Sequence, residues 1–292
     1  MQKTLNFFIV STRTMKILLT VLIACVQVAC SDKDDTIVAE ETVGNTGAIA
    51  VYNHAYIENH TADQVGEIVL NAKEAYVLLD PYEDGVIESI PKIKANGNQL
   101  AAYISIGTGE DWRDDFDDLK PYLTTEQWNE WPGEYFVNNT TTGIVALMKS
   151  RIDQIADWGF DWVEFDNMDW ALYEDAREAY GLEVTKEESI AYFQELCAYV
   201  HKKGMKCMAK NFVENAENFD GVTYESYHDE KNWWETSGAQ SFLEDGKRVI
   251  IVHYNESNCD QVYSDYTNLY NKDLAFICED TRVKKYVHYN GQ

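Results

Sequence analysis

Three acidic side chains lie within six residues of a segment that otherwise reads as a buried β-strand. In the run DWVEFDNMDWALY they are Glu164, Asp166 and Asp169. Burial of a carboxylate is costly unless the group is paired or hydrogen-bonded, so acids at this place need a structural or chemical reason. Side chains alternate between the two faces of a strand, which puts Glu164 and Asp166 on one face and the apolar Val163 and Phe165 on the other.

A further acid, Glu225, lies near the end of the run GVTYESY, in which Val222 and Tyr224 point to the opposite face. If both strands belong to one barrel, Asp166 and Glu225 converge on its C-terminal rim. Two carboxylates across such a mouth suit glycoside hydrolysis, in which one protonates the leaving oxygen and the other attacks carbon or activates water. The competing interpretation is an ionic or hydrogen-bonded network that seals the barrel.

The elements that must position these acids are eight short β-rich runs that alternate with helical segments. The predicted strands cover residues 48–54, 75–82, 99–108, 161–167, 205–211, 221–227, 248–256 and 274–280. Helices are expected between them, for example over 142–158 and 185–203, and the second opens with a capping box of Thr185 and Glu188. This pattern predicts an α/β fold, a single (β/α)8 TIM-type barrel over residues 47–292. A doubly wound sheet is the alternative.

Polar residues close nearly every predicted strand, where the catalytic groups of such a barrel lie. Lys210 would either lower the pKa of a neighbouring carboxyl by its charge or serve as a buried partner. We expect Asp169 to orient its loop or bind a sugar hydroxyl, and His253 to be structural. The tryptophans that would stack on sugar rings or simply pack are Trp131, Trp233 and Trp234.

The net charge narrows the classes of molecule that the protein is expected to bind. The net charge of −26 repels nucleic acid and anionic glycans and attracts cations, although acidity also serves the solubility of secreted proteins.

Four cysteines lie in the predicted barrel domain, and no two of them have CxxC spacing. They are Cys197, Cys207, Cys259 and Cys278. We predict a Cys259–Cys278 disulfide, while recognising that pairing cannot be deduced from one sequence. Since no cluster has metal-ligand spacing, we expect no metal and no cofactor.

The N-terminal residues 1–30 read as an export signal, with a start at Met15 and a short apolar core in MKILLTVLIACVQVAC. The segment resembles a bacterial lipoprotein signal in which Cys30 is lipidated and residues 31–46 form an acidic tether. Lipidation at Cys25 and an ordinary cleaved signal are the alternatives. We therefore expect an exported outer-membrane or cell-surface lipoprotein that meets the membrane only through its anchor.

Four motifs carry a family resemblance that extends over about residues 48–285. YISIGTGEDWRDDF (103–116), WPGEYFV (131–137), RIDQIADWGFDWVEFDNMD (151–169) and YESY (224–227) occur in this order. Together they resemble glycoside hydrolase family 114, the endo-α-1,4-polygalactosaminidases. The chain departs from the family pattern at VYNHAY, at Trp162, and at His253, where the family has an acid.

The resemblance implies a (β/α)8 barrel with Asp166 and Glu225 as the catalytic pair. We assign Asp166 as nucleophile or base and Glu225 as general acid. The residues expected to bind substrate are Asp80, Tyr103, Glu110, Asp111, Arg113, Asn167, Asp169, Lys210, Asn211 and Tyr254. The implied substrate is an α-linked amino-sugar polysaccharide or oligosaccharide, cationic when its amines are free, and acidic rim residues are expected to favour that form. The rival interpretation is a non-catalytic glycan-binding lipoprotein that uses the same cleft.

Overall fold

Ten strands appear in the computed structural model, which describes residues 49–57, 60–211, 214–226, 239–254, 256–270 and 274–278. In chain order they are β1 (Val51–Asn53), β2 (Tyr76–Leu79), β3 (Gln99–Ser105), β4 (Thr108–Glu110), β5 (Glu134–Phe136), β6 (Trp162–Asp166), β7 (Lys206–Lys210), β8 (Gly221–Ser226), β9 (Arg248–His253) and β10 (Ala275–Cys278). Eight form a parallel sheet, while β4 and β5 pair antiparallel in a separate hairpin.

The parallel sheet has the order β1-β2-β3-β6-β7-β8-β9-β10, and β10 lies against β1, so the sheet is nearly closed. Helices follow most strands, as right-handed crossovers between parallel strands require. They are α1 (Ala62–Asn71), α2 (Val86–Ala95), α3 (Phe116–Leu119), α4 (Thr142–Trp158), α5 (Glu174–Ala179), α6 (Lys186–Lys202), α7 (Ala239–Glu244) and α8 (Cys259–Tyr270). The predicted (β/α)8 barrel is confirmed.

Local sequence signals set the ends of α6. Thr185 accepts from the backbone N–H of Glu188, whose side chain reaches back to the backbone of Thr185, so the predicted capping box is present. At the other end the chain leaves the helix through Gly204, whose φ of 79° is in the region that glycine adopts without a Cβ penalty. The helices predicted over 142–158 and 185–203 therefore agree with α4 and α6.

Strand alternation divides the core into two layers, one inside the barrel and one between barrel and helices. Val163 and Phe165 belong to the outer layer, as predicted. Trp162 belongs to the inner one, where its ring meets Tyr76 edge-on at 5.8 Å. Arg248 packs over both rings and shares the side-chain oxygen of Gln99 with Trp162. These residues begin their strands, so they fill the N-terminal end of the barrel, opposite the rim.

The predicted disulfide is confirmed, since Cys259 at the start of α8 is bonded to Cys278 at the end of β10. Cys197 and Cys207 are free and buried. Among the described helices, none is both long and apolar enough to cross a bilayer. The predicted signal and tether lie outside the described residues. So do the candidate stacking residues Trp233 and Trp234, and the acids Glu279 and Asp280 that close the last predicted strand.

Candidate active site

A buried lysine joins the two predicted catalytic carboxylates at the C-terminal rim. Asp166 ends β6, Lys210 ends the neighbouring strand β7, and Glu225 lies in β8. The Lys210 Nζ lies 2.9 Å from Asp166 Oδ1 and 3.3 Å from Glu225 Oε2. The three side chains are 6 to 12% exposed. Their mutual contact follows from parallel strands whose inward positions end at the same level of the barrel.

Glu225 is held by two further side chains. Asn211 donates from Nδ2 to Glu225 Oε2 at 3.0 Å and accepts the Glu225 backbone N–H at 2.9 Å. Asn211 has a φ of 52°, in the left-handed region that asparagine tolerates better than most residues. The Tyr254 hydroxyl donates to Glu225 Oε1 at 2.5 Å. The predicted substrate ligands Asn211 and Tyr254 therefore act on the carboxylate itself.

Asp166 is also held by Asn167, at the same oxygen that Lys210 contacts. The Asn167 backbone N–H donates to Asp166 Oδ1 at 2.8 Å, in a left-handed conformation with φ of 60°. This turn brings its backbone against Gly107, where an added Cβ would lie 1.8 Å from the Asn167 carbonyl oxygen. Only glycine fits at residue 107, so the GTG of the quoted motif serves the placement of Asp166.

The side chain of Asn167 points into a buried polar cluster that the motifs did not reveal. Its Nδ2 donates to Glu134 Oε2 at 2.9 Å and lies 3.1 Å from both Ser105 Oγ and Thr108 Oγ1. Thr108 also donates to Glu134 Oε2, at 2.5 Å. Burial and then the negative charge of Glu110 raise the pKa of Glu134 to about 8. Glu134 lies within the motif WPGEYFV. Its hydrogen-bond partners depend on the pairing of β4 with β5, which no local sequence pattern predicts.

A second buried acid, Glu164, lies one inward position below Asp166. It accepts hydrogen bonds from Thr223 Oγ1, at 2.6 Å, and from the Tyr56 hydroxyl. Burial raises its pKa to about 7, although the Lys210 charge and these donors oppose the rise. The Lys210 Nζ also lies 3.8 Å from the centroid of the Tyr56 ring, a cation–π contact. Tyr56 belongs to VYNHAY, so this departure from the family pattern contributes to the site.

The charge state of Lys210 follows from its neighbours. Burial alone would lower the pKa of its ammonium, but the negative charges of Asp166, Glu225 and Glu164 outweigh burial and raise it. Asp169 lies close by, at the start of the 3-10 turn Asp169–Leu172. Burial, followed by the charges of Asp166 and Glu225, raises the pKa of Asp169 to about 8. A neutral Asp169 at neutral pH can donate a hydrogen bond beside the pair.

Arg113 occupies a buried ion-pair cluster rather than an open binding surface. It donates to both oxygens of Asp80, at 3.0 and 2.6 Å, and to both oxygens of Glu110, at 2.9 and 3.0 Å. The three side chains are only 3 to 7% exposed. The expectation that Asp80 and Glu110 add free negative charge to the rim therefore requires correction, because Arg113 neutralises part of it. Asp111, by contrast, is exposed.

Two further candidates, Tyr103 and His253, have buried side chains. Tyr103 is buried in the inner layer of the barrel, where its ring meets Tyr56 edge-on. His253 is fully buried, lies 2.7 Å from Asn258 Oδ1 through Nε2 and stacks on Phe276 of the outer layer. Its side chain therefore belongs to the packing between barrel and helices, consistent with the expected structural role.

The (β/α)8 fold and the acidic site at its rim are those of a TIM-barrel glycoside hydrolase. The chain belongs to the glycoside-hydrolase family GH114, whose model matches residues 65–291. The resemblance inferred from the motifs is thereby confirmed.

Solved structures share the fold at low sequence identity. The Aspergillus fumigatus Ega3 complex with galactosamine is 20% identical, with a TM-score of 0.64, over 84% of this chain and 96% of that one. The glycoside hydrolase domain of PelA from Pseudomonas aeruginosa is 14% identical, with a TM-score of 0.58, over 79% and 94%. An uncharacterised protein of Methanocaldococcus jannaschii is 29% identical over 157 residues, which span 50% of this chain and 44% of that relative.

Proposed function

We propose that the protein hydrolyses an α-linked, galactosamine-type polysaccharide with Asp166 as nucleophile and Glu225 as general acid and base. The observation that carries the proposal is the Lys210 bridge, in which the lysine at the end of β7 contacts one carboxylate from each flanking strand, Asp166 of β6 and Glu225 of β8, in a GH114 barrel. Most glycosidases cleave the glycosidic bond with a pair of carboxyl groups. The complex of Ega3 with galactosamine supports an amino sugar as the substrate unit.

The contacts of each carboxylate support this division of roles. The described donors to the Asp166 side chain, Lys210 and the Asn167 N–H, both act on Oδ1, so Oδ2 is available to attack the sugar. Both are donors only, which suits a group that stays ionised, whereas Glu225 meets such donors, Lys210 and Asn211, at Oε2 alone. Glu225 Oε1 is paired with the Tyr254 hydroxyl, which both donates and accepts. Such a partner serves a general acid, because that group gains and loses a proton in each cycle.

The same bridge favours a retaining mechanism. Since Lys210 Nζ contacts Asp166 Oδ1 at 2.9 Å and Glu225 Oε2 at 3.3 Å, these oxygens are no farther apart than the two contacts combined. Two carboxyl groups whose oxygens share one cation fit the roughly 5–5.5 Å separation of retaining enzymes better than the roughly 6.5–9.5 Å of inverting ones. Proton NMR of the first product should therefore show the α-anomer. A β-anomer formed first would contradict the retaining mechanism.

A cationic substrate fits the charge of the protein. A galactosamine polymer with free amines is positive, whereas the chain carries a net charge of −26. With Arg113 offsetting Asp80 and Glu110, the attraction rests on the catalytic carboxylates and on exposed acids such as Asp111. Exposed charges are screened over roughly 10 Å at 0.1 M salt. The KM for a deacetylated oligomer should rise with ionic strength while kcat changes less.

The experiment that tests the function is release of new reducing ends from matched glycans. The panel contains α-1,4-galactosamine oligomers, their fully acetylated counterparts and β-1,4-glucosamine oligomers of the same length. We expect cleavage of the first, slower cleavage of the second and none of the third. Equal cleavage of the first two with no salt dependence would contradict the cationic preference alone. Binding without cleavage of any oligomer would favour the rival glycan-binding lipoprotein.

We also propose lipidation at Cys30, which would hold the enzyme at the outer membrane or cell surface through the acidic tether of residues 31–46. The support is the basic start, short apolar core and small residue before the cysteine in MKILLTVLIACVQVAC. Cys30→Ala should release the protein from membranes and abolish incorporation of labelled fatty acid. Continued labelling of that variant would instead assign the lipid to Cys25.

A further inference from the structure

A groove of about 560 Å³ is formed by segments that follow β4 and β6 at the C-terminal end of the barrel. Aromatic side chains from separate segments form its walls. Trp128 comes from the connection between β4 and β5, Trp170 from the 3-10 turn after β6, and Tyr173 and Tyr180 flank α5. Trp128 is buried, Trp170 and Tyr180 are partly exposed and Tyr173 is exposed, so the groove presents aromatic surface mainly through Tyr173 and Trp170.

The rings are packed into a fixed wall. The centroids of Trp128 and Trp170 are 4.6 Å apart, and those of Trp170 and Tyr173 are 6.2 Å apart. Phe136 of β5, which is buried, supports Trp128 at 5.2 Å and Tyr180 at 4.7 Å. Tyr173 nevertheless remains 50% exposed. A supported but exposed ring offers a flat surface on which a sugar face can stack at little cost in side-chain ordering.

One turn links the groove to the candidate catalytic pair. Trp170 lines the groove and follows Asp169 in the same 3-10 turn, which comes shortly after Asp166 at the end of β6. Asp169 is close enough to Asp166 and Glu225 for their charges to raise its pKa. A polymer that places one linkage between these two carboxylates would extend its neighbouring units towards Trp170.

Charge identifies the form of sugar that the groove suits. Among the described residues that line it, Glu130, Glu174 and Asp175 are acidic and none is basic. Anionic glycans and nucleic acid would be repelled, whereas an ammonium group on a stacked sugar would meet these carboxylates. Aromatic faces also attract cations directly. Stacking surface and negative charge together match a chain of amino sugars with free amines.

We infer that this groove is a distal subsite that binds additional free-amine sugar units of the substrate, with Trp170 and Tyr173 as stacking surfaces and Glu174 and Asp175 as ammonium partners. The inference rests on the proposed function for the identity of the polymer. The subsite lies outside the catalytic residues, and it makes the affinity for substrate depend on chain length and on acetylation.

The test is the affinity of α-1,4-galactosamine oligomers of two to eight units, measured by calorimetry in an Asp166→Asn background that cannot turn them over. Affinity should rise with oligomer length. Tyr173→Ala should lower the affinity for the longest oligomers by about tenfold and should affect the shortest oligomer least. The matched control is Trp112→Ala, because Trp112 is 53% exposed and does not line the groove. Circular dichroism and thermal melting verify that the variants fold.

The charge component has its own pair of variants. Glu174→Gln with Asp175→Asn should weaken binding of free-amine oligomers and leave acetylated ones unchanged, whereas Glu178→Gln, exposed on the same helix, should alter neither. A length dependence that survives Tyr173→Ala, or absence of binding by any oligomer, would overturn the subsite. If the oligomers bind as described but the parent enzyme cleaves none of them, the proposed hydrolysis fails while the groove stands.

Discussion

The ammonium nitrogen of Lys210 lies 2.9 Å from Oδ1 of Asp166, with both side chains largely buried at the ends of adjacent strands. Burial alone would lower the pKa of the Lys210 ammonium, and the negative charge of Asp166 is the largest effect that raises it. The ion pair also provides Asp166 with a partner at a place where an unpaired carboxylate would be costly. It also explains why acids end an otherwise apolar strand.

The first prediction concerns this ion pair. Lys210→Met should lower kcat by about 10²-fold or more, because the variant leaves two close carboxylates without their cation and one of them takes up a proton. The acidic limb of the pH–activity profile should move to higher pH for the same reason. Lys206→Met is the matched control, since Lys206 lies on the same strand but is exposed. An unchanged profile for Lys210→Met would contradict the assigned role.

The second prediction uses the buried acid Glu134. Its pKa is about 8 in the folded protein against an ordinary value of 4.5, so the folded state binds this proton more tightly. The stabilisation that comes from this proton is fully present below pH 4.5 and is lost as pH rises through about 8. Over this range the free energy of unfolding falls by up to about 1.4 kcal/mol per pH unit. Glu134→Gln keeps an oxygen for Asn167 and Thr108 but cannot ionise.

The free energy of unfolding of Glu134→Gln, measured with urea between pH 5 and pH 8.5, should therefore fall less with pH than that of the parent. Glu126→Gln, at an exposed position of the same connection between β4 and β5, should follow the parent curve. Parallel curves for parent and Glu134→Gln would show that Glu134 is ionised throughout this range.

The third prediction concerns the disulfide that ties α8 to β10. Cys259 and Cys278 are separated by 19 residues, and closing a loop of this length in the unfolded chain corresponds to about 3 kcal/mol. Cys259→Ser with Cys278→Ser should lower the free energy of unfolding by about that amount. Reducing agent should destabilise the parent similarly and leave the double variant unchanged. Equal stability of oxidised parent and variant would contradict a stabilising role.

The features that the sequence predicts correctly are those that depend on local periodicity. Alternation along β6 and β8 predicted that Glu164, Asp166 and Glu225 face inward, and capping signals predicted the limits of α6. These features depend on near neighbours in the chain, where the spacing of side chains on a strand or helix is fixed. The same regularity predicted that Asp166 and Glu225 lie at one rim once a barrel was inferred.

Contacts between distant segments were beyond such reasoning. Arg113 was expected to bind substrate, but it pairs with Glu110 and with Asp80, 33 residues earlier in the chain. Glu134 reaches Asn167 only because β4 and β5 fold into a hairpin over the rim. Nothing in a single sequence specifies which of several nearby acids a buried arginine or amide selects, because the choice depends on where the intervening loops run.

The central claim is that Asp166 and Glu225 together cleave the glycosidic bond, and its most direct test is the rate of reducing-end release by Asp166→Asn and Glu225→Gln on a polymer that the parent cleaves. Each variant should lose at least about 10²–10⁴-fold in kcat while melting like the parent. Asp157→Asn, at an exposed position on α4, should retain full activity. Near-parental release by either Asp166→Asn or Glu225→Gln would contradict the two-carboxylate account.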